Sequence, residues 1–266
     1  MKISIHTTMT NPDQRMDPWK EALACYDELA DEVIITGEDW PEEFSWDYIG
    51  KTFNDGLQKT TGDWAIRMDL DYFFHEKDIA YIREFIEKNN DAIAIAFPKR
   101  QFFTPDRYQL QSKVCIAVNR RKYPDIKLNG GGDLCFPTLD NILIDVNKIP
   151  LCKAPIWNYD MMFKTKKIIE TERLRFGRAW FAYFNEWGIF GGNSKEEAFD
   201  AWFYWVAKKY KKHVFNIKFH KHPKYIKKKL SELDVNQFGY NCFGLKNTIK
   251  KDKVEILKRK IMRLGI

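Results

Sequence analysis

No stretch of this 266-residue chain approaches a membrane-spanning run of apolar residues, so no transmembrane helix is expected. The opening Met1-Lys2-Ile3-Ser4-Ile5-His6 is too short an apolar run, and too polar afterwards, for a secretory leader. Cysteine is sparse. There are five, at 25, 115, 135, 152 and 242, odd in number and never spaced as Cys-x-x-Cys. Free thiols in a reducing cytoplasm are the expectation, with no disulfide framework. Several signatures of nucleotide and hydrolytic chemistry are also missing. The chain has no Gly-x-Gly-x-x-Gly, no Gly-x-x-x-x-Gly-Lys-Ser/Thr, no Gly-x-Ser-x-Gly and no His-Glu-x-x-His. These absences argue against a nicotinamide enzyme, a P-loop NTPase, an α/β-hydrolase and a zinc protease.

What is present is globular: 44% of residues are apolar and 15% aromatic, including nine Trp and twenty Phe. Such a content fills a large core and can also wall a sugar or base site. Charge is unevenly placed. Residues 208–266 hold 18 Lys/Arg against 4 Asp/Glu, and the remaining 207 residues hold 26 against 33. An acidic body, residues 1–210, and a basic C-terminal appendage, residues 211–266, are therefore expected. The last stretch, residues 250–264, has Val254, Leu257, Ile261 and Leu264 on one helical face, with Lys253, Lys258, Arg259, Lys260 and Arg263 over much of the remainder. It reads as a basic amphipathic helix that either packs on the body or lies on an anionic membrane surface, peripheral to it. Nucleic acid is not an expected partner.

The first hundred residues alternate between strand and helix patterns. Lys2–His6, Glu32–Ile35, Trp64–Met68 and Ala92–Phe97 read as strands. Asp17-Pro18 opens a helix, with Asp as N-cap, running to Ala30. Trp46–Lys59 and Glu76–Lys88 are further helices, the latter with Ile79, Ile82, Phe85 and Ile86 on one face. The rhythm predicts an α/β fold with a mainly parallel sheet flanked by helices. Beyond Lys99, strands are expected at Cys115–Val118 and Ile142–Val146, and long helices at Thr165–Trp187 and Glu196–Tyr210.

The third strand ends in Asp69-Leu70-Asp71. Carboxylates at i and i+2 at that point both reach the region outside the strand's carboxyl edge, where open α/β sheets bind ligands. Two hard oxygen donors there suit Mg²⁺ or Mn²⁺ holding a diphosphate. Other groups belong to the same edge. The loop after strand one, Thr7 to Asn11, borders a base, and Asp39 after strand two is placed to accept hydrogen bonds from a base or ribose, in preference to Glu38. Asp133 follows three glycines, Gly130 to Gly132, whose backbone freedom allows close approach to a ligand. It is the first candidate for a general base. Asp160, Glu186 and Asp200 compete with it. Lys164, ahead of Lys166 and Lys167, is placed to neutralise a diphosphate leaving group.

Four segments carry a family resemblance: Lys2–His6 with Val33-Ile34-Ile35; Phe53-Asn54-Asp55-Gly56-Leu57; Gly62-Asp63-Trp64 through Asp69-Leu70-Asp71 to His75-Glu76-Lys77-Asp78; and Pro155 to Asp160 followed by Lys164-Thr165-Lys166. Together they resemble the family-2-like glycosyltransferases of the GT-A fold. The resemblance implies a nucleotide-sugar donor, a divalent cation, and inverting transfer to an acceptor hydroxyl on a glycan or lipid-linked molecule. It implies that Asp71 coordinates the cation directly and that Asp69 binds the ribose or assists the metal. Asn158 stands where one branch of that family carries a histidine, which makes it the candidate third ligand. The alternatives are a nucleotidyltransferase, which usually carries a glycine-rich loop after strand one that Thr7–Asn11 lacks, and a non-catalytic glycan- or polyanion-binding protein, which would not need Asp71.

Overall fold

A computed structural model describes residues 1–38, 40–129 and 136–248. The chain begins with β1 (Ile3–Thr8), α1 (Trp19–Leu29), β2 (Glu32–Thr36), α2 (Trp46–Lys59) and β3 (Trp64–Arg67). A two-residue strand, β4 (Tyr72–Phe73), precedes a 3-10 turn at Glu76–Asp78 and α3 (Ile79–Lys88). Then come β5 (Ala94–Thr104) and β6 (Arg107–Asn119), a hairpin of long strands. Short strands β7 (Lys127–Leu128), β8 (Pro137–Leu139) and β9 (Ile142–Leu143) make a small separate antiparallel sheet. β10 (Ile156–Asn158) is followed by α4 (Lys166–Phe184) and α5 (Lys195–Tyr210). The described part closes with β11 (Phe215–Asn216), α6 (Lys227–Ser231), α7 (Phe238–Asn241) and α8 (Leu245–Thr248).

The main sheet runs β2-β1-β3-β6-β5-β10-β4, with β11 paired to β6. β1 is parallel to β2 and β3, and β10 to β5. β6 is antiparallel to β3, β5 and β11, and β10 to β4. The sheet is therefore mixed, which corrects the expectation of a mainly parallel one. The cause is local. β5 turns straight back through Pro105 and Asp106, and a hairpin return must be antiparallel. Its second strand then inserts between β3 and β5, where a helical crossover would have kept the direction. Register shifts at Ile95/Ala96 and Pro98/Lys99 accommodate Pro98, which has no N–H to give the ladder.

Two helix layers cover the sheet. On one face Ile3, Ile5 and Ile66 pack against Ala22, Cys25 and Tyr26 of α1 and Ile82 and Ile86 of α3. On the other, Ala65, Ala94 and Ala96 receive Ile49, Phe53 and Leu57 of α2 and Ala179 of α4. Small residues on that face let the helices sit close. Gly56 of α2 is placed so that an added methyl would come within 2.9 Å of His6 Nδ1. A third cluster joins Phe103 at the hairpin end to Phe199, Trp202 and Val206 of α5 and Phe238 of α7. α5 is capped reciprocally by Ser194 and Glu197.

Residues 211–248 share these cores. Ile226 and Leu230 belong to the first cluster and Phe238 and Cys242 to the third, while β11 extends the main sheet. His222 is fully buried. Its Nε2 lies 2.7 Å from the Pro105 carbonyl, which can only accept, so Nε2 carries the proton and Nδ1 accepts from Tyr159 Oη at 2.8 Å. Burial, with nearby Lys227, His75 and Arg100, lowers its pKa to about 4 despite the bond to Pro105, so the ring is neutral. The expected amphipathic helix at 250–264 lies outside the described residues. No described helix is long and apolar enough to cross a membrane.

Candidate active site

β3 is buried along its whole length and delivers Met68 to Asp71 at the carboxyl edge of the sheet. The backbone there is held from three sides. The Asp69 carbonyl accepts from Tyr26 Oη at 2.7 Å and from the Tyr72 N–H at 2.8 Å. The Asp71 carbonyl accepts from the Tyr159 N–H at 3.0 Å. With the main chain fixed, both carboxylates line a cavity of about 210 Å³. The strand end and its paired acids are thus where the sequence pattern puts them.

β10 brings a third carboxylate to the same cavity. Its register with β4 sets Asn158 opposite Tyr72, so the chain just beyond β10 passes the segment just before β4. Asp160 lines the cavity with a left-handed backbone, φ 44°. Asn158 Oδ1 accepts the Asp160 N–H at 2.6 Å, and Gln101 Nε2 donates to Asp160 Oδ2 at 3.0 Å. Asn158 is buried in β10, does not line the cavity and spends its side-chain oxygen on this turn.

Three buried charges, Asp17, Lys164 and Glu172, and the half-buried Arg15 lie next to the acids. Lys164 Nζ lies 2.7 Å from Asp17 Oδ1 and 2.8 Å from Glu172 Oε1. Arg15 reaches Asp17 Oδ2 at 2.8 Å and Glu172 Oε1 at 3.3 Å. Burial disfavours the charge on Arg15, yet Glu172 and Asp17 outweigh it and raise its pKa, with Asp71 adding to the effect. Burial likewise opposes ionisation of Asp17, and Lys164 and Arg15 more than reverse this, holding its carboxyl below the ordinary value. Asp17 therefore does not cap α1, which begins at Trp19 without a side-chain cap. Its carboxylate is committed to cations from two loops. Arg67, also nearly buried, approaches Asp69 Oδ1 at 3.3 Å and lies over the Phe53 ring at 4.8 Å.

Four aromatic residues also line the cavity: Trp40, Phe44, Phe53 and Phe176. Trp40 and Phe176 each meet Phe44 edge-on, with ring centroids 5.3 Å apart. Arg175 of α4 donates to the carbonyls of Pro41 and Glu42, which pins the segment before α2 against α4.

Residues 45–149 match the family described as glycosyl transferase family 2. The chain carries a family 2 glycosyltransferase domain. The resemblance read from residues 53–78 falls inside this match, while Lys2–His6 and Pro155–Lys166 lie outside it. No curated protein matches the sequence. Among solved structures, S. aureus TarS aligns at 10% identity with a TM-score of 0.37, covering 93% of this chain and 55% of that one. A 1–349 form of TarS in complex with UDP aligns at 9% identity and a TM-score of 0.37, covering 100% of this chain and 92% of that one. The same form in complex with UDP-GlcNAc gives 9% identity and a TM-score of 0.33, with the same coverage. Likeness this low supports no argument about what the glycosyltransferase domain binds.

Asp69 and Asp71 of the matched stretch and Asp160 and Lys164 beyond it come together around one cavity. Thr7 does not join them. β1 runs two residues further than the pattern suggests, so Thr7 is buried within it and Thr8 and Thr10 line the cavity instead. Asp39 and Asp133 lie outside the described residues. Glu186 and Asp200 are exposed and do not line the cavity, and Lys166 lies over the Phe199 ring at 4.6 Å. Asp63 ends the turn before β3, accepting the Lys2 N–H at 2.8 Å. The sequence reading missed Arg15, Glu172, Arg67 and Arg175. Arg15 and Asp17 were legible in one respect, since both follow strand one, whose end faces this edge. Glu172 carried no signal, being one acid in a charged helix.

For a divalent cation, the donor chemistry fits. Asp69, Asp71 and Asp160 offer hard oxygens to one cavity, and Mg²⁺ commonly takes one or two carboxylates and completes its shell with water and phosphate. Among the described residues, no three or more His, Cys, Asp or Glu form a preformed metal cage. A shell completed by a ligand phosphate is consistent with both observations.

Proposed function

We propose that this chain is a metal-dependent glycosyltransferase that moves a sugar from a nucleoside-diphosphate sugar to the hydroxyl of a glycan or lipid-linked acceptor. The observation that carries the reading is the convergence of Asp69, Asp71 and Asp160 on a cavity lined by further charged and aromatic residues. The charges favour a metal. Four cations, Arg15, Arg67, Lys164 and Arg175, face five carboxylates, Asp17, Asp69, Asp71, Asp160 and Glu172, among the described lining residues. A diphosphate entering alone would meet a lining with no net positive charge. A bound Mg²⁺ or Mn²⁺ would supply that charge and stabilise the departing diphosphate.

In this reading Asp71 holds the cation, and Asp69, steadied by Arg67, assists it or binds the ribose. Lys164 and Arg15, held in place by Asp17 and Glu172, present preorganised N–H donors to the leaving group. Thr8, Thr10 and the rings of Trp40, Phe44 and Phe176 receive the nucleoside. Asn158 acts by fixing the turn that carries Asp160. In a single displacement the acceptor oxygen bonds to the anomeric carbon as the bond from that carbon to the diphosphate oxygen breaks. A carboxylate takes the acceptor proton. Asp160 is the described carboxylate placed for this, and Asp133 remains the rival from outside the described residues. Inversion follows from the same single step.

The test is thermal stabilisation by UDP, GDP and ADP with and without Mn²⁺, since a ligand of the folded state raises the midpoint by mass action. Stabilisation is expected to need Mn²⁺ and to vanish in Asp71→Ala while the unliganded midpoint stays unchanged. Mn²⁺-dependent stabilisation that persists in Asp71→Ala overturns the metal assignment. Asp160→Asn is expected to keep that stabilisation and lose sugar transfer by roughly 10²-fold or more. Transfer at the wild-type rate moves the base to Asp133.

A further inference from the structure

Between Asp200 and Glu232 the sequence contains ten lysines and no acid. Most of these lysines are exposed: Lys208, Lys209, Lys211, Lys212, Lys218, Lys221, Lys224 and Lys228. Excess charge of one sign is ordinarily balanced on a protein surface by neighbouring acids. Here, among the described residues, only Lys224 makes an ion pair with a carboxylate, that of Glu28 at 2.5 Å. The segment is ordered and built into the fold. It leaves α5, adds β11 to the end of β6, makes the 3-10 turn Phe219–Lys221, and is anchored by buried His222. A loose solvated tail would not be tied down in this way.

Large aromatic side chains stand among these cations. Tyr204 is 56% exposed, Trp205 40% and Phe219 45%. Lys208 Nζ lies 4.1 Å from the Tyr204 ring centroid and 4.9 Å from that of Trp205. Phe219 sits on a short turn with Lys218 and Lys221 on either side of it. A soluble polyanion without aromatic bases gains from the lysines but little from half-exposed Trp and Phe. A lipid surface uses both, because anionic headgroups attract the lysines while aromatic rings settle at the headgroup level.

The orientation also suits it. β6 is antiparallel to both β3 and β5, so β3 and β5 point the same way. The β5–β6 turn, which carries β11 and the Pro105 contact to His222, therefore projects from the sheet edge that holds Asp69 and Asp71.

We propose that the lysine- and aromatic-bearing segment 204–228 is a docking surface for an anionic lipid bilayer, with Phe219 entering the headgroup layer. This does not depend on the catalytic reading.

The experiment is co-sedimentation of the full chain with phosphatidylcholine vesicles, with and without about one third phosphatidylserine, over a range of salt. Binding is expected only with phosphatidylserine and is expected to weaken as salt rises. Lys218→Ala together with Lys221→Ala is expected to lower vesicle affinity by roughly 30-fold, at about fivefold for each surface lysine. Phe219→Ser is expected to lower it severalfold while leaving the salt dependence unchanged. Neither position lines the cavity, and an unchanged thermal midpoint without ligand reports that each variant is folded. Because residues 249–266 are also basic, vesicle binding that survives both variants at full strength overturns the assignment. So does binding to heparin without binding to vesicles, which would make the partner a soluble polyanion.

Discussion

Two sets of cations in this molecule live under opposite rules. Lys164 is buried and Arg15 half-buried, and each touches two carboxylates at 3.3 Å or less. The lysines from 208 to 228 are mostly exposed, and among the described residues a single one of them is paired with a carboxylate. Water solvates the second set at no cost, so nothing in folding requires partners for it. Out of water, a charge is tolerated only with its counter-charge in place. The buried set is thus fixed in position before any ligand arrives, and the exposed set is free to answer to a partner. Position matters in the first, and number in the second.

The largest effect expected from breaking this contrast is at Glu172. Glu172→Ala removes a buried acid that faces buried Lys164 and half-buried Arg15, and loss of about 3–5 kcal/mol of stability is expected by urea denaturation. Replacing Lys164 and Glu172 together, by Met and Leu, is expected to cost less than the two single changes summed, because the residues are in contact. Additive costs would show that the pair does not interact as its geometry indicates.

A smaller effect is expected on acidification, in two stages. His222 has its pKa lowered in the fold from 6.5 to about 4, mainly by burial. Its neutral form is stabilising in full above 6.5, and that contribution drains away as pH falls through about 4. Asp17 is held below its ordinary 3.8 by Lys164 and Arg15 against the pull of burial. Its contribution is complete above 3.8 and is lost only as pH falls below that value. Stability measured by urea titration across this range is expected to decline first on the histidine and then on the carboxylate. Asp17→Asn is expected to flatten the second decline only.

The smallest effect belongs to the exposed set. Lys212→Ala is expected to change stability by no more than about 0.5 kcal/mol, the ordinary range for a surface site. A larger loss would mean that this lysine has a structural partner and that the contrast fails there.

The legibility of the sequence follows the same division between local and distant causes. α2 spans Trp46–Lys59 as its pattern predicts, because Ile49, Phe53 and Leu57 mark one face without help from elsewhere. The end of β3 was readable for the same reason. The β5–β6 hairpin was not. Read as Ala92–Phe97 and Cys115–Val118, it turned out to be strands of eleven and thirteen residues. Lys99, Gln101 and Gln109 hide its continuation, since they are polar yet buried, and their cover comes from residues distant in the chain. Gln101, for instance, is occupied by Asp160. The mixed sheet was lost with the hairpin. The Asp17 cap failed because Asp-Pro is a sound local signal for a helix start, overruled here by Lys164.

The bond from Tyr159 to His222 has one more implication. Tyr159 also donates its backbone N–H to Asp71, and it directly precedes Asp160. A single fully buried ring therefore rivets together the turn of Asp71, the turn of the proposed base and the lysine-bearing segment. These three stretches are expected to open and close as one cooperative unit, with their slowest amide protons exchanging at a common rate. A force applied to the surface at Phe219 would be felt at Asp160 through one hydroxyl.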